Sequence, residues 1–168
     1  MTTLRVGILT VSDRSSRGER PDLSGPALEQ AVQRYGWQVV WTHILPDELA
    51  ELSTFLIQKA DEQQTDILLT TGGTGFAPRD VTPEATLNAI ERQAPGLAEA
   101  MRAESLKITA HAMLSRGVAG IRGKTILINL PGSPKAAVEQ LAVIAPALPH
   151  AVQLLQDEPL AESGHHKM

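Results

Sequence analysis

Short apolar runs alternate along the chain with segments whose apolar residues recur every three or four positions. This alternation constrains the fold more than any other feature of the sequence. Residues 4–11 are apolar along most of their length, as a strand buried on both faces of a sheet is, and residues 66–71 contain a shorter apolar run at 67–69. Residues 26–35 and 48–60 instead carry a single apolar stripe at helical spacing. Strands that alternate with helices in this way predict an α/β fold with a mostly parallel sheet.

The remaining elements follow from the same periodicity. Strands are predicted over residues 4–11, 37–45, 66–71, 112–121 and 124–130. Helices are predicted over 26–35, over 48–60, from 82 to the break at Pro95, from there to about 106, and from 134 to about 156 with a kink at Pro146. Ser24 and Thr82 are expected to cap helices, and Gly36 to end one. A short connection around residues 122–123 joins the last two strands, so one of them is expected to be antiparallel.

Composition narrows the possible functions. A chain of 168 residues fits one domain, which we assign to residues 1–156, with a polar tail at 157–168. Without cysteine the protein has neither a disulfide nor a thiol nucleophile. A net charge of −4 and 3% aromatic residues argue against nucleic-acid binding. No apolar run is long enough to span a membrane, so no membrane association and a cytoplasmic location are expected.

Glycine, aspartate and hydroxyl residues gather directly after the predicted strands. SDR at 12–14 follows the first, PD at 46–47 the second, GGTG at 72–75 the third and PGS at 131–133 the last. Ligands of open α/β sheets bind outside the carboxyl ends of the strands. Four such loops at one edge therefore predict a binding site there.

The GGTG loop favours phosphate binding. Its glycines let the backbone come close to a ligand and leave amide groups free to face an anion, with a helix N-terminus nearby. The sequence has neither the P-loop pattern nor the dinucleotide G-x-G-x-x-G. A plain tight loop is the alternative interpretation.

The charged residues near this loop each have two interpretations. Asp80 and Glu84 could hold Mg²⁺ against phosphate oxygens, with Arg79 adding positive charge; alternatively they are a turn residue and a first-turn helical acid. Asp47 and Asp13 follow predicted strands, which favours a place in the binding site. Alternatively, Asp47 is a helix cap and Asp13 is a turn residue.

Lys135 lies in the first turn of a predicted helix, where a cation opposes the helix dipole unless an anion is bound. A solvated lysine that points away from the site is the alternative.

Several motifs in order resemble the molybdenum-cofactor biosynthesis family, in particular MogA, the plant Cnx G domain and the gephyrin G domain. They are VSDR at 11–14, DLSGP at 22–26, PDE at 46–48, TTGGTGFAPRDVTPEAT at 70–86, ESLKITAHAMLSRGVAGIRG at 104–123 and LPGSPKA at 130–136. The resemblance covers residues 4–156. It implies a three-layer α/β/α domain, commonly a homotrimer, that transfers AMP from Mg-ATP to molybdopterin, releases pyrophosphate and passes its product to a molybdate-inserting protein.

The resemblance also implies roles for individual residues. Asp47 and Asp80 match the two carboxylates that matter most for catalysis, and Asp80 with Glu84 would hold the metal. Phosphate or nucleotide binding is expected of Thr71, Gly72, Gly73, Thr74, Gly75, Pro131, Gly132, Ser133 and Lys135. Contacts with the pterin substrate are expected of Ser12, Asp13, Arg14, Ser24, Gly25, Ser115 and Arg116.

Two other functions remain open within this fold. One is a MoaB-type paralogue without activity, although PDE and PRDVTPE are both present here and favour the active branch. The other is a module that binds molybdopterin or acts as a scaffold without turnover. The molybdate-inserting relatives and the competence-damage relatives belong to longer proteins, so the length of this chain disfavours both.

Overall fold

The computed structural model describes residues 3–156, so the predicted tail at 157–168 lies outside the described residues. The strands are β1 (Arg5–Val11), β2 (Gln38–Leu45), β3 (Ile67–Thr71), β4 (Arg92–Gln93), β5 (Ala119–Arg122) and β6 (Thr125–Leu130). The helices are α1 (Asp13–Ser16), α2 (Ser24–Arg34), α3 (Leu49–Asp61), α4 (Thr82–Ala89), α5 (Pro95–Leu106), α6 (Pro134–Ile144) and α7 (Leu148–Leu155), with a 3₁₀ turn over Ala110–Leu114.

The strands form one six-stranded sheet in the order β2-β1-β3-β6-β5-β4. β2, β1, β3 and β6 are parallel, and β5 pairs antiparallel with both β6 and β4. β5 alone therefore runs against the others, which confirms the expectation of a mostly parallel sheet with one antiparallel strand.

Side chains alternate between the two faces of the sheet, and each face has its own core. On one face Ile8 and Ile128 pack with helices α2, α5, α6 and α7. On the other face Leu9 and Leu68 pack with α3 and α4. These two cores produce the predicted three-layer α/β/α arrangement. Because β2, β1, β3 and β6 are parallel, they all end at one edge of the sheet, where the loops rich in glycine and aspartate lie.

The chain between residues 107 and 121 departs from the prediction. A strand was expected over 112–121, but Ala110–Leu114 forms a 3₁₀ turn and β5 begins only at Ala119. The Thr109 hydroxyl accepts the N–H of His111 and starts the turn, whereas Met113 and Leu114 are exposed. Of the apolar residues in the predicted strand, Met113 and Leu114 thus do not face the core, whereas Ala119 in β5 does.

Two predicted helix caps are wrong because the side chains have other partners. Ser24 lies inside α2, and the Asp22 carboxylate accepts the Gly25 N–H in its place. Thr82 lies inside α4, and its hydroxyl donates to the Gly72 carbonyl. Gly36 has a φ of 75° directly after α2, as predicted for a residue that ends a helix.

The helix predicted from residue 82 ends early, at Ala89, and the two-residue strand β4 follows it. A strand this short leaves no periodicity to detect. The kink expected at Pro146 is present, because α6 and α7 meet at 63°. Within residues 3–156, no single helix is long and apolar enough to cross a membrane, and only this bent pair passes such a test when its two helices are taken together.

Candidate active site

An open cleft of about 510 Å³ lies at the carboxyl edge of the sheet. It brings together residues from all four predicted loops. The predicted site residues that line it are Ser12, Asp13, Arg14, Ser24, Asp47, Thr71, Gly72, Gly73, Asp80, Gly132 and Ser133. The convergence expected from strand order is therefore present in the structure.

The floor of the cleft includes Gly72 and Gly73, which both have positive φ angles, of 99° and 67°. A Cβ on Gly72 would lie 2.4 Å from the Val11 carbonyl oxygen, and one on Gly73 would lie 2.2 Å from the Thr82 hydroxyl. Conformation and space thus both require glycine. Within residues 3–156, the N–H groups of Gly73, Thr74 and Gly75 donate no hydrogen bond to the protein, which leaves them available to an anion.

Asp13 and Asp47 bind each other's backbone across the cleft. The Asp47 carboxylate accepts the Asp13 N–H at 3.1 Å, and the Asp13 carboxylate accepts the Asp47 N–H at 3.0 Å. This exchange ties the loop after β1 to the loop after β2. Neither carboxylate acts as the helix cap or local turn residue that the sequence left open, because both bonds are between loops.

Arg79 is the cation nearest to these carboxylates. Its guanidinium donates to Asp13 at 2.6 and 3.0 Å, to the Asp47 carbonyl at 3.0 Å and to Glu48 at 2.7 Å. The hydrogen bonds from Arg79 hold the pKa of the Asp13 carboxyl below its usual range.

Asp47 has the opposite electrostatic environment. Burial raises the pKa of its carboxyl, and the negative charges of Asp13 and Asp80 raise it further. Asp47 Oδ1 and Asp80 Oδ2 each lie 2.9 Å from where a Cβ on Gly73 or Gly75, respectively, would be. The two carboxylates therefore flank the glycine loop. Asp80 also closes a turn by accepting the Ala77 N–H, so its local structural role and its place in the cleft coexist.

Arg116 and Glu84 form an ion pair beside the cleft instead of lining it. The Arg116 guanidinium also donates to the carbonyls of Gly75 and Asp80, both at 2.7 Å. Its hydrogen bond to Glu84 lowers the pKa of that carboxyl. The pair thus supports the loop that carries Asp80. Glu84 does not line the cleft, and its second carboxylate oxygen is buried without a hydrogen-bond partner among residues 3–156, so its role as a metal ligand stays a prediction.

Other predicted site residues also lie outside the cleft lining: Gly25, Thr74, Gly75, Pro131, Ser115 and Lys135. Pro131 accepts the Thr71 hydroxyl at 2.7 Å, which joins two of the loops. The Ser115 hydroxyl accepts the Gly117 N–H. Lys135 is 85% exposed and lies 3.9 Å from Glu139, in agreement with the alternative of a solvated lysine. The Ser133 hydroxyl caps α6 by accepting the Ala136 N–H.

Sequence reasoning missed Arg20 and Asp22, which both line the cleft. Asp22 accepts the Thr10 hydroxyl at 2.8 Å and so fixes the start of α2 against β1. Within residues 3–156, the Arg20 guanidinium has neither a hydrogen bond nor an ion pair. Nothing in the sequence distinguishes it from Arg17, three positions earlier, which pairs with Glu19.

The donors in the cleft suit a magnesium ion that arrives with a phosphate ligand. Among the described residues, no three histidine or carboxylate side chains are grouped to hold a metal by themselves. Mg²⁺ is ordinarily held by one or two carboxylates plus substrate phosphate oxygens. Asp47 and Asp80 supply two carboxylates beside the free amides of the glycine loop, which fits that pattern.

The fold and the cleft together define a class: an α/β domain that binds a phosphorylated ligand at the carboxyl edge of its sheet, between a glycine loop and paired carboxylates. Comparison with known families is more specific. Residues 7–150 match the family described as "probable molybdopterin binding domain". The chain belongs to this family, which confirms the resemblance seen in its motifs.

Two proteins of known name and one solved structure are similar in sequence to this protein over most of its length. A molybdopterin adenylyltransferase of Helicobacter pylori is 45% identical over 157 residues, which cover 92% of this chain and 89% of the relative. The gephyrin of Dictyostelium discoideum is 43% identical over 96% of this chain but only 24% of its own length. The crystal structure of the molybdopterin biosynthesis enzyme MoaB from Thermus thermophilus has a TM-score of 0.87 and 48% identity, and covers 94% of this chain and 99% of its own.

Proposed function

We propose that the protein is a molybdopterin adenylyltransferase of molybdenum-cofactor biosynthesis. The observation that carries this proposal is the cleft itself, where a glycine loop with free amides lies between Asp47 and Asp80. The relative of that name in Helicobacter pylori, at 45% identity over most of both chains, supports the same conclusion.

In the proposed reaction, a terminal phosphate oxygen of molybdopterin attacks the α-phosphorus of ATP. A new P–O bond forms there as the bond to the bridging oxygen breaks, and pyrophosphate leaves with its electron pair. The attacking oxygen is already ionised, so no strong general base is required. Positioning and electrostatic stabilisation are the main tasks of such a site.

The residues of the chain divide these tasks. The amide of Gly73, which lines the cleft, and the amide of Thr74, the next residue of the loop, bind phosphate oxygens; Arg14 and Arg20 line the cleft with positive charge. Arg79 and Asp13 keep the loops after β1 and β3 at a fixed separation. Asp47 and Asp80 would hold Mg²⁺ between themselves and the nucleotide, where the ion would offset the negative charge of the phosphates.

Three finer points of the proposal depend on the family resemblance: a homotrimer, a cytoplasmic location and a downstream protein that inserts molybdate. A MoaB-type paralogue is the second candidate, because the similar Thermus enzyme carries that name. A binding protein or scaffold without turnover is disfavoured by Asp47 and Asp80 in the cleft, since passive binding of a phosphate has no need for excess negative charge beside it.

The test is pyrophosphate release from ATP, measured with and without molybdopterin and with and without Mg²⁺. Release that requires both additions is the expected result. Tight binding of molybdopterin without any release of pyrophosphate would contradict the enzymatic proposal and support a carrier or scaffold.

A further inference from the structure

A chain of buried hydrogen bonds lies behind the glycine loop and opposite the cleft. Thr82 is the member in contact with the loop, and its relative exposure is 1%. Its hydroxyl donates to the Gly72 carbonyl at 2.9 Å, and its N–H donates to the Gly73 carbonyl at 3.1 Å. A single residue thus binds the carbonyls of the two loop glycines, Gly72 and Gly73, whose φ angles are positive.

The chain continues from Thr82 into the sheet. The Thr86 hydroxyl donates to the Thr82 carbonyl at 2.9 Å and accepts a hydrogen bond of 2.8 Å from the Asn129 side chain. The Asn129 amide also donates to the Thr70 hydroxyl at 2.9 Å and accepts the Val118 N–H at 3.1 Å. Every donor and acceptor of the Asn129 amide group therefore has a partner, which fixes its orientation.

The direction of the loop amides follows from these bonds. In a trans peptide unit the C=O and the following N–H point in opposite directions. Because Thr82 binds the Gly72 carbonyl, the Gly73 N–H points away from Thr82 and out of the buried interior. The bond to the Gly73 carbonyl turns the Thr74 N–H away from Thr82 in the same manner. These are two of the amides that lack a partner in residues 3–156.

We propose that Thr82, held in place by Thr86 and Asn129, is a positioning residue that orients the Gly73 and Thr74 amides for the phosphates of ATP. This inference rests on the proposed function. Thr82 does not touch the substrate, and it acts through the two peptide units whose carbonyls it binds.

The chain provides a matched control at the other end of the sheet. Thr125 is also 1% exposed, and its hydroxyl donates to the Thr65 carbonyl at 2.8 Å. Thr125→Val and Thr82→Val therefore remove equivalent buried hydrogen bonds and keep the side-chain shape. Both should lower the melting temperature by a similar amount, but only Thr82→Val should affect the nucleotide.

The experiment measures binding of ATP and of inorganic pyrophosphate by calorimetry, together with steady-state turnover. For Thr82→Val, we expect affinity for both probes and kcat/KM for ATP to fall about tenfold. The KM for molybdopterin should not change, and Thr82→Ser, which keeps the hydroxyl, should restore ATP affinity.

Equal ATP and pyrophosphate affinities in Thr82→Val and Thr125→Val would overturn the positioning role. The two proposals can fail separately. A wild-type protein that binds pyrophosphate but never adenylylates molybdopterin would contradict the proposed function, whereas the pyrophosphate affinities of the three variants would still decide the role of Thr82.

Discussion

Aspartate and arginine side chains lie at both edges of the sheet, but their charges are balanced at one edge and not at the other. At the amino edge, the buried Asp66 carboxylate accepts hydrogen bonds from the Arg5 backbone N–H, the Arg5 guanidinium and the Gln156 amide. At the carboxyl edge, Asp13, Asp47 and Asp80 share one cleft in which Arg79 is the paired cation, and Glu48 also binds that arginine.

This difference separates a structural charge from a functional one. Asp66 has as many donors as its two oxygens need, so its charge is balanced inside the protein. Asp47 has one backbone donor and two acidic neighbours, and its pKa is raised. Groups held in such unfavourable surroundings are characteristic of functional sites. The carboxyl edge therefore retains negative charge that the fold alone would not require.

Replacing one carboxylate at each edge by asparagine should give the largest difference between an effect on turnover and an effect on stability. Asp80→Asn keeps an oxygen to accept the Ala77 N–H but removes a charge from the cleft. We expect turnover to fall by about 100-fold or more, since removal of one electrostatic group from such a site has effects of this size. The melting temperature should change little. Pyrophosphate release measures the turnover, and thermal unfolding measures the melting temperature.

Asp66→Asn is the control at the opposite edge. It removes the charge that Arg5 binds at 2.7 Å and should lower the free energy of unfolding by about 1–3 kcal/mol. Its turnover per folded molecule should equal that of the wild type. If Asp80→Asn loses stability and activity in the same proportion, the distinction between the two edges is wrong and Asp80 is a turn residue only.

Asp47→Asn tests the same distinction through the pH dependence of stability. Because the folded protein raises the pKa of Asp47, ionisation of this group opposes folding. The opposition is absent below the unfolded pKa, near 3.8, and is complete once the pH exceeds the raised folded value. The asparagine variant should therefore unfold at a higher temperature than wild type at neutral pH, with the difference vanishing in acid.

Turnover of Asp47→Asn should nevertheless fall, so stability and activity change in opposite directions. Asp13, whose pKa is lowered, stabilises the fold above its unfolded pKa and loses this effect as the pH falls. Asp13 is present in both the wild type and Asp47→Asn, so its contribution cancels when the unfolding temperatures of the two proteins are subtracted. A variant that is less stable than wild type at neutral pH would show that the Asp47 charge is structurally required.

Much of this architecture could be predicted because it has a local cause. β1, β3 and β6 are apolar runs buried on both faces, and strand order alone put the loops at 12–14, 46–47, 72–75 and 131–133 at one edge. The three layers and the family were implied by the motifs and are confirmed. The roles of the individual site residues stay predictions.

What could not be predicted depends on partners distant in the sequence. Thr82 had the pattern of a cap, yet its hydroxyl bonds to Gly72, ten residues away. Arg116 had the pattern of a strand residue, yet it braces the loop at 75–84 across more than thirty positions. Periodicity contains no information about such pairings, because each depends on how two loops meet in the folded chain.

The smallest predicted effect concerns Arg20, a cation of the cleft whose guanidinium has neither a hydrogen bond nor an ion pair among the described residues. Arg20→Ala should weaken binding of ATP or molybdopterin about two- to fivefold, as expected for one exposed charge, and the loss should shrink at high salt. Arg34→Ala removes a charge from the end of α2, outside the cleft, and is the matched control. Calorimetry at low and high salt compares the two variants. Equal affinities would mean that Arg20 is solvated like Lys135 and adds nothing to the positive field of the loop amides, Arg14 and Arg79.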